Sequence, residues 1–137
     1  MFPIKSVDDL ERLSTEMKWQ YFEKLVGWIF EQNDFSVEVS RVFVYPEGKR
    51  QYDVIAKRFG KTFLVECKKW KRSNSSAIKK AIEDHLEKTK LYTEKQKEEV
   101  FPLVVTLLQD NITEHEGVPI VPVDKLNTFI NQYEELI

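Results

Sequence analysis

Residues 101–108, Phe-Pro-Leu-Val-Val-Thr-Leu-Leu, form a nearly unbroken apolar run without alternation. A surface helix or a half-exposed strand would show polar positions at a period of 3.6 or two. This length and β-branched content suit a strand covered on both faces. A strand covered twice needs a layer above and a layer below. That demand points to a sheet flanked by helices.

The rest of the chain supplies those layers. Ser6 followed by Val7-Asp8-Asp9 is a helix start, with a capping hydroxyl and acids in the first turn, and a short helix through Leu13 is expected. A longer helix is expected from about Met17 to Gln32, stopped by Asn33-Asp34. Trp19, Phe22, Val26, Ile29 and Phe30 make one apolar face of it, while Tyr21, Leu25 and Trp28 carry apolar surface round to the other side. Such a helix is either sandwiched between layers or covered by a partner. Gly27 sacrifices ~1 kcal/mol of helix propensity, which a close approach to a neighbour would explain. Phe35, Val37 and Val39 alternate with polar residues as a strand does, and residues 42–45 extend it or follow a bulge. Pro46-Glu47-Gly48 is a turn, Gln51–Lys57 a second strand, and Thr62–Lys68 a third, joined through Gly60. Short connections favour antiparallel hairpins. The polar segment 73–76 caps a helix from Ala77 to about Thr93, Ile120-Val121 is a further short strand, and Val123–Leu136 a closing helix. The expected architecture is α/β: a central mixed sheet flanked by helices in the order α–β–β–β–α–β, as one domain over residues 1–137.

The bulk properties exclude several classes. One cysteine, Cys67, rules out an intrachain disulfide framework or a four-cysteine metal site. His85 and His115 stand at no metal-ligand spacing. No signal peptide and no membrane-spanning apolar stretch is expected, so a cytoplasmic protein is the natural reading. A net charge of -2 argues against non-selective coating of nucleic acid.

Chemistry is written where acids interrupt strands. Asp53 lies inside Gln51-Tyr52-Asp53-Val54-Ile55-Ala56, although aspartate is depleted in strand interiors. In Phe63-Leu64-Val65-Glu66-Cys67-Lys68, alternation points Glu66 and Lys68 to one face and Phe63, Val65 and Cys67 to the other. If the two strands form a hairpin, Asp53 comes alongside Glu66. Adjacent carboxylates repel unless something positive lies between them, and a divalent cation and the Lys68 ammonium both serve. Mg²⁺ prefers such oxygen ligands and lowers the pKa of a bound water. A lysine beside it can orient that water, help deprotonate it, or stabilise charge on a phosphate. The Cys67 backbone carbonyl is a further candidate ligand. Glu23 sits on the same helical stripe as Trp19, Phe22 and Val26, where a charge needs a partner or a metal.

Asp53, then Glu66-Cys67-Lys68, preceded by a helix carrying Phe22-Glu23-Lys24-Leu25-Val26, resembles the PD-(D/E)xK nuclease superfamily. The resemblance is nearest to archaeal Holliday-junction resolvases and Mrr-type restriction endonucleases, and spans roughly Trp19 to Leu108. It implies a restriction-endonuclease-like core, dependence on Mg²⁺ with Mn²⁺ substituting, and hydrolysis of phosphodiester bonds. By position, Glu23 matches the helix glutamate, Asp53 the motif aspartate, Glu66 the second acid and Lys68 the catalytic lysine. One departure is Tyr52, which stands where the motif has proline. The metal set implied is Asp53, Glu66 and the Cys67 carbonyl, with Glu23 acting directly or through water.

Residues 49–72 hold nine cations against two acids, a local +7 in a chain of -2. Phosphate-backbone binding requires such a surface near the site. Arg50, Gln51, Lys69, Lys71 and Arg72 are the candidate nucleic-acid contacts, and Trp70 could stack on a base or pack at a strand end. The bland alternatives are a cross-strand salt bridge among Asp53, Glu66 and Lys68, and a Glu23 paired with neighbouring lysines. Cys67 reads as a small buried hydrophobe. His85, on a face with Ala81 and Ile82, reads as core or boundary packing. The expected partner is DNA, the expected assembly a homodimer that brings two sites to a duplex, and no organic cofactor is expected. The competing class is a non-catalytic DNA-binding or scaffold domain retaining the fold.

Overall fold

The computed structural model describes residues 4–9, 19–69, 75–107 and 112–136. Its elements are α1 (Trp19–Glu31), β1 (Ser36–Tyr45), β2 (Gly48–Arg58), β3 (Lys61–Lys68), α2 (Ser75–Gln96), β4 (Glu99–Thr106), β5 (Thr113–His115), β6 (Val118–Pro122), a 3₁₀ turn (Val123–Lys125) and α3 (Leu126–Leu136). The strands form one mixed sheet in the order β1-β2-β3-β4-β6-β5. The hairpins β1–β2, β2–β3 and β5–β6 are antiparallel, and β3–β4 and β4–β6 are parallel. No helix among the described residues is long and apolar enough to cross a membrane.

The expected order of elements stands, with shifted boundaries. Strand β2 begins at Gly48, which takes the positive φ of 124° needed to leave the two-residue turn Pro46-Glu47. β5 is additional. Its polar sequence hides it, but Glu116 and Gly117, both at positive φ, return the chain in a tight hairpin onto β6. The closing helix divides into a 3₁₀ turn and α3. Near the start, Ser6 Oγ accepts from Asp9 N–H at 3.2 Å, as a cap does. The expected helix through Leu13, the segment before Trp19, and Leu108 fall at least partly outside the described residues.

The sheet is covered twice. On one face, Phe22, Leu25, Val26, Ile29 and Phe30 of α1 and Leu126 and Ile130 of α3 pack on Val54, Ala56, Phe63, Val65, Leu103 and Val105. Burying each large side chain contributes ~1.5–3 kcal/mol. On the other face lies α2, whose Ile82 meets Val104 and whose Leu91 and Tyr92 meet Tyr52, Ile55 and Leu64. Leu103 and Val104 thus face opposite helical layers, which is why the β4 run is apolar without alternation. Leu25 is fully buried, so α1 turns a wide stripe to the sheet, while Tyr21 stays about half exposed.

The β1–β2 hairpin changes faces halfway along. Val37 and Val39 press on Gly27 of α1, yet Phe43 and Tyr45, of the same parity, pack with Tyr52 and Tyr92 on the α2 side. Strand alternation forbids this unless the strand kinks. The kink is at Ser40, with φ of 55°, which falls opposite Asp53 between the pairs Val39↔Val54 and Arg41↔Tyr52. The register is the same on both sides of it, so both strands turn together.

Candidate active site

Asp53 occupies that turn. The β2–β3 ladder runs from Arg58↔Lys61 to Val54↔Val65 and stops one step short of Asp53 and Glu66, while β3 continues to Lys68 alongside β4. Into the gap Cys67 N–H donates to Asp53 Oδ2 at 2.8 Å, taking the place of a ladder bond. The N–H and carbonyl of a strand residue point to the same side, so the Cys67 carbonyl faces the same gap. The Cys67 side chain packs in the core on the α1 side, and burial together with the nearby carboxylates pushes its thiol well up, as an inert buried hydrophobe requires.

Glu66 and Lys68 face α2, as alternation predicts. Lys68 Nζ lies 3.7 Å from Glu66 Oε1. A second ammonium comes closer: Lys88 of α2 donates to Glu66 Oε2 at 2.6 Å and to the Gln51 carbonyl at 2.9 Å. Lys88 escaped the sequence reading, although a signal exists. Ala81, His85, Lys88 and Tyr92 follow i, i+4, i+7, i+11 on one stripe of α2, and a charge on a buried stripe is the same argument that singles out Glu23. His85 is buried beneath Glu66. Its Nε2–H donates to the Leu64 carbonyl at 2.8 Å, leaving Nδ1 without a hydrogen-bond partner 3.7 Å from Glu66 Oε2.

Glu23 reaches the same region from the α1 side. It is 2% exposed and accepts a hydrogen bond from Ser40 Oγ at 2.7 Å. Because Asp53 sits where the hairpin changes faces, it senses Glu23 on one side and Glu66 on the other.

The electrostatics follow from this crowding. Burial raises the Asp53 carboxyl, the charges of Glu66 and Glu23 add to the rise, and the Cys67 N–H only partly offsets them, so its pKa is pushed up to about 8. Burial also pushes Glu66 up, but the ammonium groups of Lys88 and Lys68 outweigh it and hold that carboxyl below its ordinary value. Burial drives His85 down to about 4, against the pull of Glu66, so the imidazole is neutral. The site is thus short of positive charge at Asp53 and supplied with it at Glu66. Among the described residues no three Asp, Glu, His or Cys side chains form a ready-made metal cluster. Two carboxylates and a carbonyl are a hard-oxygen set that suits Mg²⁺, which keeps waters and substrate oxygens in its remaining positions. The residues therefore fit such an ion.

A cleft of about 350 Å³, lined by Arg50, Glu66, Lys68, Ala81, Asp84, Glu87 and Lys88, opens beside these groups. Of the expected nucleic-acid contacts, Gln51 is exposed and Lys69 half-buried, each one residue from the cleft's lining, while Lys71 and Arg72 lie outside the described residues, as does Trp70. Arg50 lines the cleft but is held by Glu87 at 2.6 and 3.2 Å. The basic cluster does not gather as one surface around the acids. Lys57, Arg58 and Lys61 lie at the far end of the β2–β3 ladder, where Lys57 pairs with Glu98 and Arg58 donates to the Asn33 carbonyl. Spacing in sequence concealed this because a hairpin sends its turn residues away from its open end.

Comparison with known proteins agrees with the fold. The Mrr_cat family, described as restriction endonuclease, matches residues 14–98. An uncharacterized protein of Archaeoglobus fulgidus is 33% identical over 116 residues, covering 83% of this chain and 90% of that one. The small subunit of the heterodimeric restriction endonuclease R.BspD6I superposes with a TM-score of 0.58 at 15% identity, covering 93% of this chain and 78% of the subunit. The protein of unknown function AF1548 superposes with a TM-score of 0.55 at 16% identity over 77% of this chain, which spans 58% of that protein's length.

Proposed function

Because the chain belongs to the Mrr_cat restriction endonuclease family, with a restriction-endonuclease-like fold, we propose that it is a metal-dependent endonuclease cutting DNA phosphodiester bonds. The observation that carries this reading is the nearness of Asp53 to Glu66, whose charge Asp53 senses, at the point where β2 and β3 part. There the Cys67 carbonyl faces the gap and an open cleft lies alongside. A structural salt bridge would leave no carboxyl in that pair short of a cation, whereas Asp53 is.

Asp53 and Glu66, with the Cys67 carbonyl, would hold Mg²⁺ or Mn²⁺. Such an ion, when bound, polarises a phosphoryl oxygen and supplies a water acidic enough to attack at neutral pH. Lys68 orients that water and stabilises negative charge on the phosphate, since its ammonium reaches the cleft from the same strand face as Glu66. Glu23, held by Ser40 on the other side of Asp53, would help hold the ion, directly or through water. Gln51 and Lys69 flank the cleft as contacts to the nucleic-acid backbone, with Arg50 available once it leaves Glu87. The whole chain acts as one cytoplasmic nuclease domain. Cutting both strands takes a second site, from another copy of this chain or from a partner subunit, and the superposing R.BspD6I subunit is itself half of a heterodimer.

A cleavage panel of linear, nicked, flapped and four-way DNA, run with Mg²⁺, Mn²⁺ and EDTA, tests the proposal. Asp53→Ala and Glu66→Ala should abolish metal-dependent cleavage while leaving the circular dichroism spectrum unchanged. Undiminished cutting by both variants removes these residues from the reaction. A wild-type protein that binds the DNA but cuts none of it is a scaffold.

A further inference from the structure

Glu66 has two ammonium groups within reach, and the nearer comes from across the cleft. Lys88 Nζ is 2.6 Å from Glu66 Oε2 and Lys68 Nζ is 3.7 Å from Oε1. The second bond of Lys88, to the Gln51 carbonyl, ties β2 to β3 just beyond the place where their ladder ends. Its ammonium also lies 5.8 Å from the centre of the Tyr52 ring, and its side chain is 16% exposed. Lys88 is therefore a seated, largely enclosed cation at the mouth of the gap that Asp53 and the Cys67 carbonyl face.

We propose that Lys88 is a resident counter-cation for Glu66, holding the carboxylate while no divalent ion is bound and yielding Oε2 when one arrives. The inference rests on the metal-site reading given above. A buried carboxylate without a positive partner is costly, and Lys68, farther away and twice as exposed, does not supply one alone. An arriving ion needs that same carboxylate, and two cations on one carboxylate repel. A lysine can yield because its four-carbon stem carries rotatable donors, where a forked guanidinium would be locked in place. The displaced ammonium stays within the cleft, among the groups that would face a substrate phosphate. Lys88 is on this account a positioning residue that keeps the empty site folded at the expense of metal affinity.

Calorimetric titration with Mn²⁺, without DNA, tests this on wild type, Lys88→Met and Lys88→Gln. Removing a positive charge this close to the ion should tighten Mn²⁺ binding about tenfold or more, even with water-like screening. Thermal melts give a second readout. In EDTA both variants should melt below wild type, and added Mn²⁺ should raise their midpoints by more than it raises that of wild type. Lys88→Gln keeps a hydrogen-bond donor without the charge, so it carries the test if the methionine variant folds poorly. Mn²⁺ binding that is equal or weaker in the variants overturns the role of Lys88 and leaves the metal site standing. Binding by none of the three proteins overturns the metal site and this proposal together.

Discussion

The backbone N–H of Cys67 donates to Asp53 Oδ2 at 2.8 Å, across the point where β2 and β3 cease to pair. It is a hydrogen bond to a carboxyl that burial and two neighbouring acids would rather keep protonated. From pH ~4 to about 8 the folded protein holds a proton at Asp53 that the unfolded chain has released, so this group lowers stability as pH rises through that window. Asp53→Asn keeps an oxygen for Cys67 and removes the charge. In EDTA, the variant should melt several degrees above wild type at pH 8, with the difference shrinking to nothing near pH 4. His85 acts in the opposite sense. The unfolded chain protonates it below its ordinary 6.5, while the folded protein resists until about 4, so stability falls as pH drops through that range. The two slopes oppose each other between pH 4 and 6.5, and the wild-type decline should be concentrated above 6.5. A melting difference independent of pH would show that Asp53 is not the titrating group.

Gly27 sits where α1 crosses β1. A Cβ there would lie 3.0 Å from Val37 Cγ1 and 3.1 Å from Val39 Cγ2. Alanine would improve helix propensity by ~1 kcal/mol, but overpacking against two stiff β-branched side chains costs typically ~1–3 kcal/mol. Gly27→Ala should therefore lower the urea midpoint, and Val37→Ala in the same chain should recover part of the loss. A raised midpoint in the single variant would mean that the strand moves aside freely.

How far the sequence reveals the site depends on which element carries each residue. Glu66 and Lys68 are legible because a strand has only two faces and both lie on one. Asp53 is conspicuous because an acid interrupts an apolar strand, and Glu23 because a charge interrupts an apolar stripe. Lys88 lies in a 22-residue helix with several other lysines, and only the stripe shared with Ala81, His85 and Tyr92 sets it apart. The face change at Ser40 is only half legible: alternation gives way after it to the apolar run 42–45, which fits a plain extension as well as a bulge, and only a backbone angle decides between them. The spread of basic residues over both ends of the hairpin is lost for a related reason: local charge counts carry no direction.

Tyr52, standing where the family motif has proline, has a structural role of its own. Its hydroxyl donates to the Lys88 carbonyl at 2.7 Å and receives Tyr45 Oη at 2.9 Å, while its ring packs edge-on to Phe43 and Tyr92. Tyr52→Phe strands the buried Tyr45 hydroxyl, at a cost of ~1–3 kcal/mol. Removing both hydroxyls should cost little more than removing one, because the second deletion leaves nothing unpaired. Strictly additive losses in urea denaturation would show that the two phenols act independently.

Ser40 combines the kink with a side-chain bond that fixes Glu23. Its φ of 55° is no worse for alanine than for serine, so Ser40→Ala tests the hydroxyl alone. Glu23 is 2% exposed, and deprived of a charge-assisted hydrogen bond it should destabilise the fold by ~1–3 kcal/mol. Glu23→Gln weakens the same contact from the other end by removing the charge. A double-mutant cycle in urea should therefore show the pair coupled by ~1 kcal/mol or more, the two losses summing to more than the double variant loses. The same cycle read in Mn²⁺-dependent cleavage should place Ser40→Ala between wild type and Glu23→Gln, since the carboxylate remains but is no longer held toward Asp53. Additivity in stability together with wild-type cleavage by Ser40→Ala would mean that Glu23 needs no anchor, and that the kink exists for the path of the hairpin alone.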